Sequence, residues 1–538
     1  MRRSARLLLL AVVLGAVVPG AVAPSAGLAA TPDTETVAGS TVSAPRIVEV
    51  YPNPARADDR GEYVRLRVPA GNWTLSDGES TVSVSADPGY LVVTGAPDAL
   101  PNGTEGSVVA APLSLANGGE RLTLHEGTAN GRRVDSVEYG SAPEGEPWLR
   151  GTDPPWRPVG YHPRDPASVG TANATAFVLP DAPGPPAATL RGADRRILLA
   201  GYTFESERAT EELLAAERRG VRVRVLVDDA PVGGITDRQA RLLDRLVAAG
   251  VEVHALGGPV ARFRYHHAKY AVVDDTALVL TENWKPAGTG GADSRGWGVR
   301  LDSRAAADEL ASVFEHDAGW RDARPWDEYR TGRSFTAAAP ADETYAQQFG
   351  PANVRVRNAI VLTAPGNAET GVVRVVDAAT ERVDVVQPTV EDGPMLTATR
   401  RAAERGVEVR ILLSSAWYVR EENEALAGRL NGWADRAGLP LEARLADPAG
   451  RYGKIHAKGV VADDVAVVGS LNWNPTSARE NREVAVALRG PEVATYYREV
   501  FEADWRAGSD AVPRSLLLVG VGVAAATVLY ARRRIEFA

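Results

Sequence analysis

The chain has 538 residues, no cysteine and a formal net charge of −9. That length exceeds one ordinary core and predicts two or three domains. The lack of cysteine excludes disulfides, thiolate metal sites and cysteine nucleophiles, and an acidic balance without a long basic run argues against a protein that coats nucleic acid.

The N-terminus has the layout of a secretory signal, predicted over residues 1–30. Arg2, Arg3 and Arg6 precede the apolar run Leu7 to Val18, and small residues follow from Pro19 to Ala30. A Ser/Thr-rich spacer fills 31–44. From 45 to 147, short β-branched runs such as Ile47-Val48-Glu49-Val50-Tyr51 and Val134-Asp135-Ser136-Val137-Glu138-Tyr139 alternate with turns at Asp77-Gly78, Asn117-Gly118-Gly119 and Asn130-Gly131. This spacing predicts an immunoglobulin-like β-sandwich. Residues 148–186 are rich in proline and glycine and read as a linker.

From 187 the pattern changes to alternating strands and helices, which predicts α/β lobes with mostly parallel sheets. Arg196–Tyr202 reads as a strand, Ser206–Arg219 as a helix and Val221–Val227 as the next strand. The order then recurs: Val372–Val376 and Arg382–Gln387 read as strands, Met395–Arg405 as a helix and Val407–Leu413 as a strand. Gly220 and Gly406, 186 positions apart, close matching helices. Such an offset held over a long span marks a duplication. The lobes are predicted over 187–320 and 351–510, joined by 321–350. Ser515 to Ala531 is a 17-residue apolar run followed by Arg532-Arg533-Arg534. At ~1.5 Å per residue it reaches a bilayer's apolar thickness at its short end, so a transmembrane helix over 515–531 with a cytoplasmic tail over 532–538 is expected.

The chemistry lies in two copies of His-x-Lys-x4-Asp. One runs from His267 through Lys269 to Asp274, the other from His456 through Lys458 to Asp463, 189 positions later. Each leads into a polar turn. These are Leu280-Thr281-Glu282-Asn283-Trp284 and Gly469-Ser470-Leu471-Asn472-Trp473. The only lysines in the chain are Lys269, Lys285, Lys454 and Lys458, all in or beside the repeats, whereas arginine serves elsewhere. A compact ammonium is thus retained where a planar guanidinium does not substitute. On a strand, alternation would turn histidine and lysine to one face. Two lobes would then offer imidazoles (His267, His456), ammoniums (Lys269, Lys458), amides (Asn283, Asn472) and hydroxyls (Thr281, Ser470) to one phosphate diester. Cations and amides stabilise its growing charge, while the imidazoles attack phosphorus and protonate the leaving oxygen. Asp274 and Asp463 are expected to cap the turn after each strand. His266, which has no counterpart, is expected at the rim or in packing.

The two copies resemble the HKD motifs of the phospholipase D superfamily, which includes cardiolipin synthases and some endonucleases. The resemblance spans about 320 residues. It implies a duplicated α/β fold, a covalent phosphohistidine, and neither metal nor cofactor. It makes His267 the nucleophile and His456 the acid. It also implies a histidine-orienting carboxylate in a downstream Asn-x-Glu, matched by Asn481-Arg482-Glu483. The first copy has Ser294-Arg295-Gly296 there, so its orienter is expected to be missing and the site unequal. Gly61-Glu62-Tyr63-Val64-Arg65-Leu66 and Leu115-Ala116-Asn117-Gly118-Gly119-Glu120-Arg121-Leu122 resemble the lamin-tail domain, an accessory module. The expectation is an exported, membrane-anchored phosphodiesterase acting on phospholipid, with nucleic acid as the alternative substrate and a noncatalytic phosphate-ester binder as the third reading.

Overall fold

The computed structural model describes residues 44–507, apart from 55–58, 102–103, 153–154, 162–163 and 259. The expected signal segment and the expected membrane helix 515–531 lie outside the described residues. Among the described residues, no helix is long and apolar enough to cross a membrane.

The N-terminal part forms two sheets. One holds Ser107–Ala110, Gly89–Thr94, Tyr63–Val68, Arg46–Tyr51 and Trp148–Leu149 in that order, the other Thr81–Ala86, Gly71–Ser76, Glu120–Glu126 and Arg133–Tyr139. In Thr81–Ala86, exposed Thr and Ser alternate with buried Val82, Val84 and Ala86. Period-two alternation of this kind gives a strand one apolar face. Val64, Leu66 and Val93 of one sheet share a core with Trp73, Leu75, Leu122 and Leu124 of the other, as in a sandwich.

The remaining strands form one 16-stranded sheet, with short Ala323–Pro325 at one edge and Lys454–Ile455 paired to Ser294–Asp302 off the main path. From its centre outward, one half runs Ala167–Leu179, Ser294–Asp302, Thr276–Leu280, Tyr270–Val273, Arg196–Gly201, Arg222–Asp228 and Glu252–Leu256. The other runs Ala352–Ala364, Glu483–Arg489, Val465–Gly469, Gly459–Ala462, Arg382–Gln387, Glu408–Leu413 and Leu441–Leu445. The halves repeat one topology and meet at two antiparallel 13-residue strands. The flanking helices begin at caps expected of their sequence. Ser206, Thr236 and Ser303 each accept a backbone N–H three residues on.

Two expectations are corrected. The linker predicted over 148–186 is largely structured: Ala167–Leu179 is one of the central strands, and Gly184–Arg191 is a helix. Small Ala172, Ala174 and Ala176 are buried there, where facing lobes leave little room. The sheet of the first lobe therefore takes in a strand from the stretch read as a linker. Val372–Val376, expected as a strand, lies inside helix Ala368–Asp377. Val372 and Val376, one turn apart, are its buried face.

The lobes interlock through mirrored charges. Arg482 of the second lobe lies 2.9 Å from Asp317 of the first, and Arg295 of the first lies 2.9 Å from Asp504 of the second, all buried. Trp297 crosses from the first lobe to stack on Tyr497, ring centroids 4.6 Å apart. It also covers Gly459, where a Cβ would lie 2.3 Å from the indole.

Candidate active site

Each His-x-Lys segment lies just before a strand. Tyr270–Val273 pairs antiparallel with Arg196–Gly201, and Gly459–Ala462 with Arg382–Gln387. This places both motifs at the carboxyl ends of parallel strands, the usual functional edge of an open α/β sheet. Asp274 and Asp463 make the turns after these strands, with φ of 54° and 46°. Asp274 accepts the backbone N–H groups of Asp194, Arg195 and Arg196, and Asp463 those of Thr380, Glu381 and Arg382. Each carboxylate thus fastens the start of the neighbouring strand.

The imidazoles are held from the opposite lobe. His267 Nδ1 lies 2.9 Å from both carboxylate oxygens of Glu483. Glu483 also accepts Ser477 Oγ at 2.6 Å and Asn481 Nδ2 at 3.2 Å. His456 Nδ1 lies 3.1 Å from Glu282 Oε2. The backbone repeats the exchange, since His267 N–H donates to Arg482 C=O at 2.9 Å and His456 N–H to Arg295 C=O at 3.0 Å. With each Nδ1 engaged by a carboxylate, each Nε2 is the atom left for phosphorus or a proton. Tyr202 lies edge-on to His267, centroids 4.7 Å apart.

Lys269 and Lys458 turn back to donate to the carbonyls of His267 and His456, the second at 2.7 Å. Asn283 is buried with its Oδ1 unpartnered, and Asn472 is half-buried. Thr281 and Ser470 are fully buried. Their hydroxyls accept the N–H of Trp297 at 2.9 Å and Val484 at 3.1 Å, and the Ser470 hydroxyl also helps hold the Glu483 carboxyl below its ordinary value.

Burial dominates the electrostatics. It pushes the His267 imidazolium down to about 4, with Lys269 and Lys458 adding to the effect and Glu483 opposing it. Burial likewise takes His456 to about 3, against Glu282 and with both lysines. Lys458 falls to about 8 and Lys269 falls well below its ordinary value, again chiefly through burial. Burial would raise both carboxylates, but the facing imidazoles and lysines outweigh it and leave them lowered. The site therefore presents neutral imidazoles beside carboxylates and cations, a nucleophile and proton carrier with charge already placed around them.

The unequal site expected from the sequence is corrected. Glu483 does not serve its own lobe's histidine but reaches His267. The missing partner is Glu282, which serves His456 and stands in the polar turn of the first copy. Sequence reading placed Glu282 in that turn without giving it a role. His266 is buried, 3.5 Å from Asp317.

The family described as "cardiolipin synthase, PLD-like domain" matches residues 187–318 and 372–505, one stretch in each half of the sheet and each containing one His-x-Lys copy. The chain belongs to the phospholipase D superfamily. Members of that superfamily are phosphodiesterases. A probable phospholipase D of Caenorhabditis elegans is 24% identical over 344 residues, 55% of this chain and 59% of that protein. Cardiolipin synthase A of Pseudomonas aeruginosa is 32% identical over 163 residues, 29% of this chain and 31% of that protein. The chain thus spans 31% to 59% of the length of these relatives. Among solved structures, phosphatidylserine synthase of Haemophilus influenzae Rd KW20 aligns with a TM-score of 0.47 and 14% identity, over 60% of this chain and 82% of that one.

Proposed function

We propose that this phospholipase D superfamily member cleaves or transfers phospholipid headgroups through a phosphohistidine. The crossed imidazole–carboxylate pairs carry this reading. His267 Nε2 attacks phosphorus, forming the P–N bond as the P–O bond to the leaving alcohol breaks. His456, protonated once the anionic diester is bound, gives its proton to that oxygen. Water or an alcohol then attacks phosphorus, the P–N bond breaks, and the incoming O–H proton passes to His456. Lys269, Lys458, Asn283 and Asn472 balance the charge on the nonbridging oxygens.

The relatives named as phospholipase D and cardiolipin synthase support lipid over nucleic acid. The sandwich is an accessory module in this reading. Export, and anchoring through 515–531, remain part of the proposal. The test is the purified protein with labelled phospholipid and, separately, with single- and double-stranded DNA. Headgroup release or exchange that disappears in His267→Ala and His456→Ala supports the reading. DNA cleavage alone would make the protein a nuclease, and binding without turnover a phosphate-ester receptor.

A further inference from the structure

The two halves carry their orienting carboxylates at different places in the sequence. At the motif offset of 189, Glu282 stands where the second lobe has Leu471. On the sheet, Gly296 pairs with Leu179 at the end of one central strand as Glu483 pairs with Ala364 at the end of the other, so Gly296 stands where the second lobe has Glu483. Two departures in one half, a carboxylate gained in a turn and another lost from a strand, would be unrelated if the positions were apart. They touch. A Cβ built on Gly296 would lie 2.2 Å from Glu282 Cγ and 2.6 Å from its Oε1. The Glu282 side chain thus fills the volume that any side chain at 296 would enter. Its carboxylate arrives at the same target by a different route, 3.1 Å from His456 Nδ1, as Glu483 arrives at His267.

From this geometry we infer that Glu282 and Gly296 are a compensated exchange, and that Glu282 is the positioning residue for His456. Glu282 selects the Nδ1–H tautomer and leaves Nε2 aimed at the scissile phosphate. The glycine is required because the transplanted carboxylate occupies its side-chain space. The two carboxylates are not equally equipped. Glu483 has Ser477 and Asn481 as further donors, whereas Glu282 Oε1 has no hydrogen-bond partner among the described residues. Glu282 also adjoins Asn283 in the chain. One turn therefore carries both a phosphate-facing amide and the orienter of the opposite lobe's imidazole.

The inference rests on the phosphodiesterase reading for its kinetic test but not for its spectroscopic one. Full-length Glu282→Leu, Gly296→Glu and the double variant are compared with wild type on a chromogenic phosphodiester. Glu282→Leu is expected to lose about 10²–10⁴-fold in kcat, the range for an acid–base imidazole that loses the carboxylate fixing its tautomer, with little change in KM. Gly296→Glu alone overfills the space and is also impaired. The double variant, which copies the second lobe's arrangement into the first, is expected to regain most of the loss. Histidine-selective 15N spectra, with His456 assigned by His456→Asn, should show the Nδ1–H tautomer in wild type and the double variant. In Glu282→Leu they should show the Nε2–H tautomer. Wild-type kcat and an unchanged His456 tautomer in Glu282→Leu would overturn the assignment. A folded double variant, matched to wild type in denaturant midpoint, that regains neither rate nor tautomer would overturn the exchange. If wild type leaves the diester intact, the phosphodiesterase reading fails while the tautomer still tests the role of Glu282.

Discussion

At the scale of residues, His267 and His456 are neutral because burial outweighs their carboxylates. This has a consequence for stability. Their folded values, about 4 and about 3, lie below the ordinary 6.5. The unfolded chain then binds more protons between those limits, so their contribution is complete above about pH 6.5 and is lost as pH falls toward 4 and 3. Asp228 and Asp384, raised by burial to about 7, act in the opposite sense. Their burden on the fold grows between about pH 4 and 7. The histidine effect is therefore read as a difference. Urea midpoints at pH 8 and pH 5 should fall more steeply for wild type than for His267→Asn/His456→Asn. Equal slopes would show that these imidazoles are not buried neutral. His267, Lys269, His456 and Lys458 stood out because their types and spacing recur, and Glu483 only through the downstream Asn-x-Glu that the resemblance implies. Glu282 did not, because its partner is 174 residues away and in the other lobe.

At the scale of elements, the strand expected to carry each His-x-Lys begins only after it, at Tyr270 and at Gly459. Thr81–Ala86 alternates as a strand should, yet its Ser and Thr residues hide it among turns. Ala167–Leu179 was hidden by the proline-rich stretches on both sides and by small residues without strong strand preference. Val372–Val376 misleads in the other direction, since a run of valine favours a strand until helical packing claims it. Gly459 shows how tightly one element is bound to its setting. Its place is taken by Tyr270 in the first copy, but here Trp297 needs the space. Gly459→Ala should destabilise the protein by about 1–3 kcal/mol through overpacking. A denaturant midpoint at the wild-type value would show that the indole can yield.

At the scale of the whole molecule, each active half depends on the other. Arg482 precedes Glu483 and is clamped to Asp317, and the same arrangement joins Arg295 to Asp504. The ion pairs that fasten the lobes therefore also place the strands that carry or accommodate the orienting carboxylates. Arg482→Met leaves Asp317 buried without its guanidinium and should cost about 3–5 kcal/mol. It should also lower turnover at temperatures where the variant is still folded, because Glu483 loses its anchor. Chemical denaturation with activity measured in parallel checks both. Lost stability with full activity would separate the clamp from the site.

The sequence by itself determined the duplication, the superfamily and the paired histidines and lysines. All of these are local patterns repeated at a near-constant offset, which needs no knowledge of packing. Tertiary structure alone decided which carboxylate serves which imidazole, that Ala167–Leu179 is a central strand, and that Gly296 and Glu282 belong together. Those relations join groups far apart in the chain through shared space, and spacing along a sequence carries no record of which volumes coincide.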